Sequence, residues 1–271
     1  MKRMKRILPL ASAILLAGVF LISCNTGTKK EAQSEEEETT VKKSEEVAPN
    51  TLSEAEKEKG FVLLFDGETP EGWRGYGKDH FPAAWEVVDV TIKCNGSGRG
   101  EAGAEDGGDI IYDEKFSNFH LKLEWKISEG GNSGIFYLGQ ETPEYDHIWK
   151  TAPEMQVLDN ERHPDAMLGE NGNRKAGSLY DLIPADPQNA KPAGEWNKVE
   201  IICYKGTVVH KMNGETVLEY HLWTPEWEEM VADSKFPGLN ENWADVAKEG
   251  YIGLQDHGDD VWFRSIKLRE M

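Results

Sequence analysis

A chain of 271 residues with a net charge of −19 is too acidic to sit on nucleic acid or on an anionic membrane surface. That balance suits a neutral ligand such as a sugar, or a cation. The length leaves room for one large domain behind a leader and a linker.

The first residues read as a secretory signal, 1–23. Lys2, Arg3, Lys5 and Arg6 make a basic start, and the apolar run Ile7 to Ile22 is short of the ~20 residues that a spanning helix needs. Leu21-Ile22-Ser23-Cys24 resembles a bacterial lipobox, which predicts cleavage before Cys24 and lipid on its sulfur. The protein is then expected in the bacterial cell envelope, anchored by lipid to a membrane. Asn25 in place of Asp favours the outer membrane, and the acidic stretch beyond it resembles export signals of surface lipoproteins. The periplasmic and the surface face both remain open.

From 24 to 59 the chain reads as a tether, with Glu35 to Glu38 in a row and almost no large apolar residue to offset its ordering entropy. Its last part, Leu52 to Lys59, places Ser53 and Glu56 at capping-box spacing and predicts a short helix. The basic leader and the acidic tether cancel in charge, so the domain from 60 to 271 carries all of the −19.

That domain reads as all-β. Phe61 to Phe65 is a strand ending at an Asp66-Gly67 turn, and Trp85 to Ile92 reads as one continuous strand. Phe119 to Ile127 alternates for its full length, with the odd-numbered side chains apolar. Gly134 to Leu138 follows a Gly-Gly-Asn-Ser turn. Lys198 to Tyr204 pairs with Thr207 to Met212 across Lys205-Gly206, and Asn213-Gly214 turns the chain into Thr216 to Tyr220. Pro225 to Val231 is the one helix-like piece, read as part of a long decorated loop. Tyr251 to Gln255 and Val261 to Leu268 close the chain. Many short alternating strands with Gly-rich turns predict a sandwich or jelly roll. Cys94 and Cys203 both lie in or beside strand patterns; one disulfide and two buried thiols are both open readings.

Two polar clusters are hard to explain by packing. Gln255-Asp256-His257 lies between two apolar strands and is followed by Gly258. Three such groups are costly to bury without partners. In Glu154-Met155-Gln156-Val157-Leu158-Asp159-Asn160, alternation puts Glu154, Gln156 and Leu158 on one face and Met155, Val157 and Asp159 on the other.

Taken in order, several segments resemble one family. They include Leu63-Leu64-Phe65-Asp66-Gly67 with Gly72-Trp73, Gly108-Asp109-Ile110, Phe119 to Trp125 and Gly130 to Phe136. Further on come Glu154 to Asn160, Leu179 to Pro184, Gly194 to Asn197, Met212-Asn213-Gly214 and Gly250 to Arg269. The chain resembles the 3-keto-disaccharide hydrolase domain family. Lys211-Met212 departs from the Trp-Leu that relatives more often carry, a change at a packing position.

The resemblance implies a concanavalin A-like jelly-roll β-sandwich with its ligand on the concave sheet. It also implies cleavage of a glycosidic bond in a sugar already oxidised at C3 by a separate sugar 3-oxidoreductase. The ketone acidifies the C2 proton; a base removes it, the C1 substituent leaves, and water can then add to give net hydrolysis. Such a site needs a base, a donor toward the C3 oxygen and a proton donor for the leaving oxygen.

His257 is the first candidate for acid/base work because imidazole titrates near neutral pH, with Glu154 as its partner. Gln156 and Gln255 suit sugar hydroxyls, offering donor and acceptor alike. Asp159, Asn160, Asp256 and Tyr137 are further candidate substrate contacts. A divalent metal is a candidate cofactor, with Glu154, Asp256 and His257 as ligand types and Asp159 beside them; a structural calcium is a candidate in the acidic loop Glu105 to Asp109. Without a metal, Arg or Lys would be the electrophile. Trp149, Trp223, Trp227 and Trp243 fall in loops, where one or two would stack on sugar. The rival reading is a non-catalytic, lectin-like sugar-binding lipoprotein. A retaining endoglucanase ranks lowest, since no Glu-x-Asp-x-x-Glu strand motif is present.

Overall fold

Period-two alternation builds most of this domain. The computed structural model describes residues 47–271. The expected signal segment 1–23, the expected lipidation site at Cys24 and the expected tether as far as residue 46 lie outside the described residues.

In chain order the strands are β1 (Val62–Leu63), β2 (Trp73–Gly75), β3 (Trp85–Val88), β4 (Thr91–Cys94), β5 (Ile110–Phe116), β6 (Phe119–Ile127) and β7 (Asn132–Gly139). They continue with β8 (Glu154–Leu158), β9 (Asn197–Tyr204), β10 (Thr207–Met212), β11 (Glu215–His221), β12 (Gly250–Leu254) and β13 (Val261–Glu270). Two short helices, α1 (Glu54–Glu58) and α2 (Pro225–Ala232), complete the set. One sheet has eight strands, ordered β11-β10-β9-β6-β13-β4-β3 with β1 paired on β13; the other has five, ordered β2-β5-β12-β7-β8. All pairings are antiparallel, and together the sheets form the expected jelly-roll sandwich.

β6 shows why the packing works. Phe119, Leu121, Leu123, Trp125 and Ile127 are all buried, while the residues between them are partly exposed. From the facing sheet, Ile135 of β7, Met155 and Val157 of β8, and Ile252 of β12 join the same core. Lys205-Gly206 and Asn213-Gly214 adopt left-handed backbone and make the two predicted hairpins. Cys94 and Cys203 are both free and buried, and burial pushes the Cys203 thiol up to about 11.

Three expectations need correction. Trp85 to Ile92 is a hairpin: Asp89 and Val90 turn with φ of 48° and 58°. A β-branched residue seldom adopts that backbone, so the turn carried no sequence signal. Secondly, the tether ends earlier than Gly60. Asn50 is buried; its Oδ1 accepts from the Ser265 amide at 2.7 Å and its Nδ2 donates to the Val90 carbonyl at 2.8 Å. It thereby supports both the β3–β4 turn and the bulge of β13. Just beyond it, α1 has the predicted capping box of Ser53 and Glu56. Burial favours the neutral form of Glu56, yet Lys267 at 2.7 Å and the Ser53 amide hold its acidity at about 2. Thirdly, α2 is a core element, with Trp227 and Val231 buried. Thr224 caps it and Pro225 opens it.

Asn50→Ala would leave the buried Ser265 amide and the partly buried Val90 carbonyl without partners. The expected cost is about 1–3 kcal/mol, read from the denaturant midpoint of the purified protein.

Candidate functional site

The outer face of the five-stranded sheet holds the site, opposite the shared core. Gly134 of β7 pairs with Gln156 of β8, and on the other side the Gln255 amide donates to the Gly134 carbonyl at 3.0 Å. Two glutamines thus flank a glycine across three adjacent strands. A Cβ on Gly134 would overlap the carboxyl group of Glu154, so the bare glycine makes room for that acid.

These groups line a cavity of about 260 Å³, slightly below the ~300–1,000 Å³ usual for small-molecule sites. Asn132, Glu154, Gln156, Gln255 and His257 give it a polar side; Trp149, Phe236, Leu239 and Trp243 give it an apolar one. Trp243 is buried and donates its indole N–H to the Trp149 carbonyl at 3.0 Å. Several buried polar atoms on the wall have no hydrogen-bond partner: Asn132 Oδ1, Trp149 Nε1 and Gln255 Oε1. Buried polar groups are rarely left so, and a hydroxyl-rich ligand would satisfy them.

Glu154 is buried, and its acidity is pushed well above the usual carboxylate range. Burial is the main cause and the Glu101 charge adds to it, while Lys235 opposes. Lys235 comes from the loop after α2 and donates to the Tyr180 hydroxyl at 3.2 Å. That hydroxyl donates in turn to Asp165 at 2.9 Å. Tyr180 reaches the site because the segment around Leu179 bridges to Met155 of β8 and the Tyr180 amide donates to the Glu154 carbonyl. His163 stands edge-on to His257, their ring centres 6.1 Å apart. Burial, then the neighbouring His257, lowers its basicity.

Of the residues singled out from sequence, Glu154, Gln156, Gln255 and His257 meet at the cavity. Tyr137 does not. It lies out of phase with Gly134 on β7, faces the core, and hydrogen-bonds His210 at 2.8 Å and Tyr220 at 2.6 Å. Asp159 accepts from the amides of Gly130 and Glu161, closing a turn. Asn160 accepts from the Ala176 amide at 2.8 Å. Asp256 is fully buried and holds the amides of Gly108 and Gly258. Each of these polar side chains is spent on backbone donors, so none faces the cavity.

The expected metal set is also corrected. Among the described residues, the ligand-type atoms that converge are His163, His257 and Asp259 in one place and Glu101, Asp109 and His147 in another. Neither group contains Glu154 or Asp256. The Glu105–Asp109 loop does not gather a calcium set, since Asp106 is taken by Lys78, His80 and the Ala83 amide. Of the four loop tryptophans, Trp149 and Trp243 reach the cavity. Trp227 is buried in the core, and Trp223 packs on Gly206 and donates to the Val246 carbonyl.

Sequence reading missed Asn132, Glu101, Tyr180 and Lys235. Asn132 was read as turn chemistry, and Glu101 and Lys235 lie in loops without periodicity. Tyr180 sits in the Leu179 to Pro184 segment, which marked the family without marking the site.

Residues 60–269 match the model of the 3-keto-alpha-glucoside-1,2-lyase-like domain. The chain belongs to this family. It is 50% identical, over 98% of its own length and 99% of the relative's, to a protein of Bacteroides thetaiotaomicron named 3-keto-disaccharide hydrolase. Among solved structures, a putative glycosyl hydrolase from Parabacteroides distasonis shares 29% identity and a TM-score of 0.72, over 83% of this chain and all of that one. A second putative glycosyl hydrolase from that organism shares 25% identity with a TM-score of 0.58, over 78% and 99%. This chain thus shares its fold with those two structures.

The buried Glu154 has a measurable consequence. An unfolded glutamate ionises near ~4.3, whereas the folded site keeps this one protonated to higher pH. Above ~4.3 the folded state therefore holds a proton that the unfolded state has released, and stability falls as pH rises toward the folded value. Glu154→Gln is expected to be more stable than the parent at alkaline pH, the gap closing toward pH ~4, in denaturant midpoints measured across that range.

Proposed function

We propose that this protein cleaves the glycosidic bond of 3-keto-glycosides, 3-keto-disaccharides among them, by elimination. The observation that carries the reading is a buried carboxyl group, its acidity raised well above the usual carboxylate range, facing an imidazole-bearing cavity whose wall offers unpartnered amide and indole atoms. The 50% identity to a protein named 3-keto-disaccharide hydrolase supports it.

In this reading His257 takes the C2 proton, which the C3 ketone makes acidic. The electron pair of the C2–H bond forms the enolate and then the C1=C2 bond as the C1–O bond breaks. Glu154 donates its proton to the departing oxygen. An imidazole as base and a carboxylic acid as proton donor suit the two halves of the step. Lys235, the one lysine on the cavity wall, and the amides of Asn132 and Gln255 are the groups available to the C3 oxygen and ring hydroxyls. Water adding across C1=C2 then gives net hydrolysis. A separate oxidoreductase must supply the ketone, because elimination without it has no acidified proton to start from. The lipobox-like start fits an enzyme held by lipid on Cys24 in the bacterial envelope.

The test compares a 3-keto-glucoside with its unoxidised parent, following release of the leaving group. Release is expected from the 3-keto substrate alone. His257→Ala and Glu154→Gln are each expected to lose about 100-fold or more. Gly134→Ala should lose activity with its fold intact, since the new methyl displaces the Glu154 carboxyl group. Binding of both sugars with release of neither would overturn the enzyme reading and leave a sugar-binding protein.

A further inference from the structure

We propose that Glu101, Asp109 and His147 form a divalent-metal site at the edge of the cavity. Their ligand atoms all lie within 4.8 Å of one another. They come from two connections: Glu101 and Asp109 from the Gly-rich loop between β4 and β5, and His147 from the loop between β7 and β8. Two carboxylate oxygens and one imidazole nitrogen are a ligand set that Mn²⁺ and Zn²⁺ accept, with positions left over for water or a sugar oxygen.

The second observation is Asp109 itself. Its side chain is only 4% exposed. One oxygen accepts from the Asp256 amide at 3.1 Å; the Ile148 amide also approaches the carboxylate, but Oδ2 has no hydrogen bond of full geometry. A buried carboxylate oxygen without a donor is costly, and more so with Glu101 and Asp256 nearby. Among the described residues no lysine or arginine is paired with Asp109 or Glu101.

His147 is suited to the role. Neither ring nitrogen is within hydrogen-bond distance of a protein group, Nε2 lying 3.7 Å from the Asp146 carboxylate, and stacking on Trp149, with planes 14° apart, holds the ring. The other convergent group fits a metal less well. His163 Nδ1 accepts from the Asp165 amide at 3.1 Å, which leaves the ring proton on Nε2 and no free lone pair.

The inference stands apart from the ketone chemistry, and its test contains no sugar. The purified protein, stripped with EDTA, is titrated with Mn²⁺ followed by electron paramagnetic resonance of the free ion, and with Zn²⁺ by calorimetry. One ion per chain is expected. Glu101→Gln and His147→Ala should each weaken binding by about tenfold or more, with His163→Ala unchanged. Zn²⁺ should raise the melting temperature of the parent and not of His147→Ala. Both variants alter partly exposed side chains, so the fold does not depend on them as it does on Asp109. No binding would overturn the proposal. So would binding that survives both variants, or binding that is lost in His163→Ala.

Discussion

The site depends on a carboxyl group laid over a bare glycine in the middle of a sheet. Gly134 has neighbours on both sides, Gln156 of β8 and Gln255 beyond β12, and only the absence of its Cβ lets Glu154 lean across β7. A carboxyl group in that place loses most of its water. Its proton is then bound more tightly, because the ionised form has no close cation apart from Lys235 to replace hydration. Burial, acidity and the position of the acid therefore follow from one contact.

The sheet holds this geometry because its other face is locked. Behind Gly134 and on the core side of the same strand, Tyr137 donates to His210 Nε2 while accepting from Tyr220. That direction is forced: His210 Nδ1 donates to the Gly177 carbonyl at 3.1 Å, so Nε2 is the acceptor. The chain crosses the sandwich from β11 and β10 to β7 and reaches the 177–180 segment that brings Tyr180 over Glu154. Burial keeps His210 neutral, with its basicity lowered to about 4, which keeps the relay intact at neutral pH. Tyr220 also stacks on Trp227, and Trp227 on Trp243, so the aromatic wall of the cavity is seated on the same core. Tyr137 is thus tied to the site through packing, although it faces away from the cavity.

The polar residues around the site divide by what they face. Asp159, Asn160 and Asp256 each satisfy backbone amides and so fix the loops that frame the cavity. Asn132, Gln255 and Asp109 keep an unpartnered atom. Sequence alone treats both groups alike, since an Asp that caps a turn and an Asp that awaits a ligand occupy the same kind of position between strands.

The sequence by itself determined the alternation of β6, the two glycine turns, the capping box at Ser53, and the shared face of Glu154 and Gln156. All of these depend on side chains within a few residues of one another, and the strand period sets which of them share a face. The same period, followed from Gly134, also places Tyr137 on the opposite face. Only the tertiary structure decided that Tyr180, Lys235 and Trp243 close over Glu154, and that Glu101, Asp109 and His147 converge. It also decided that Asn50 belongs to the sandwich. Those groups lie far apart along the chain, and no local pattern encodes their meeting. The protonation of Glu154 is of the same kind, because desolvation depends on everything that surrounds a group and not on its neighbours in sequence.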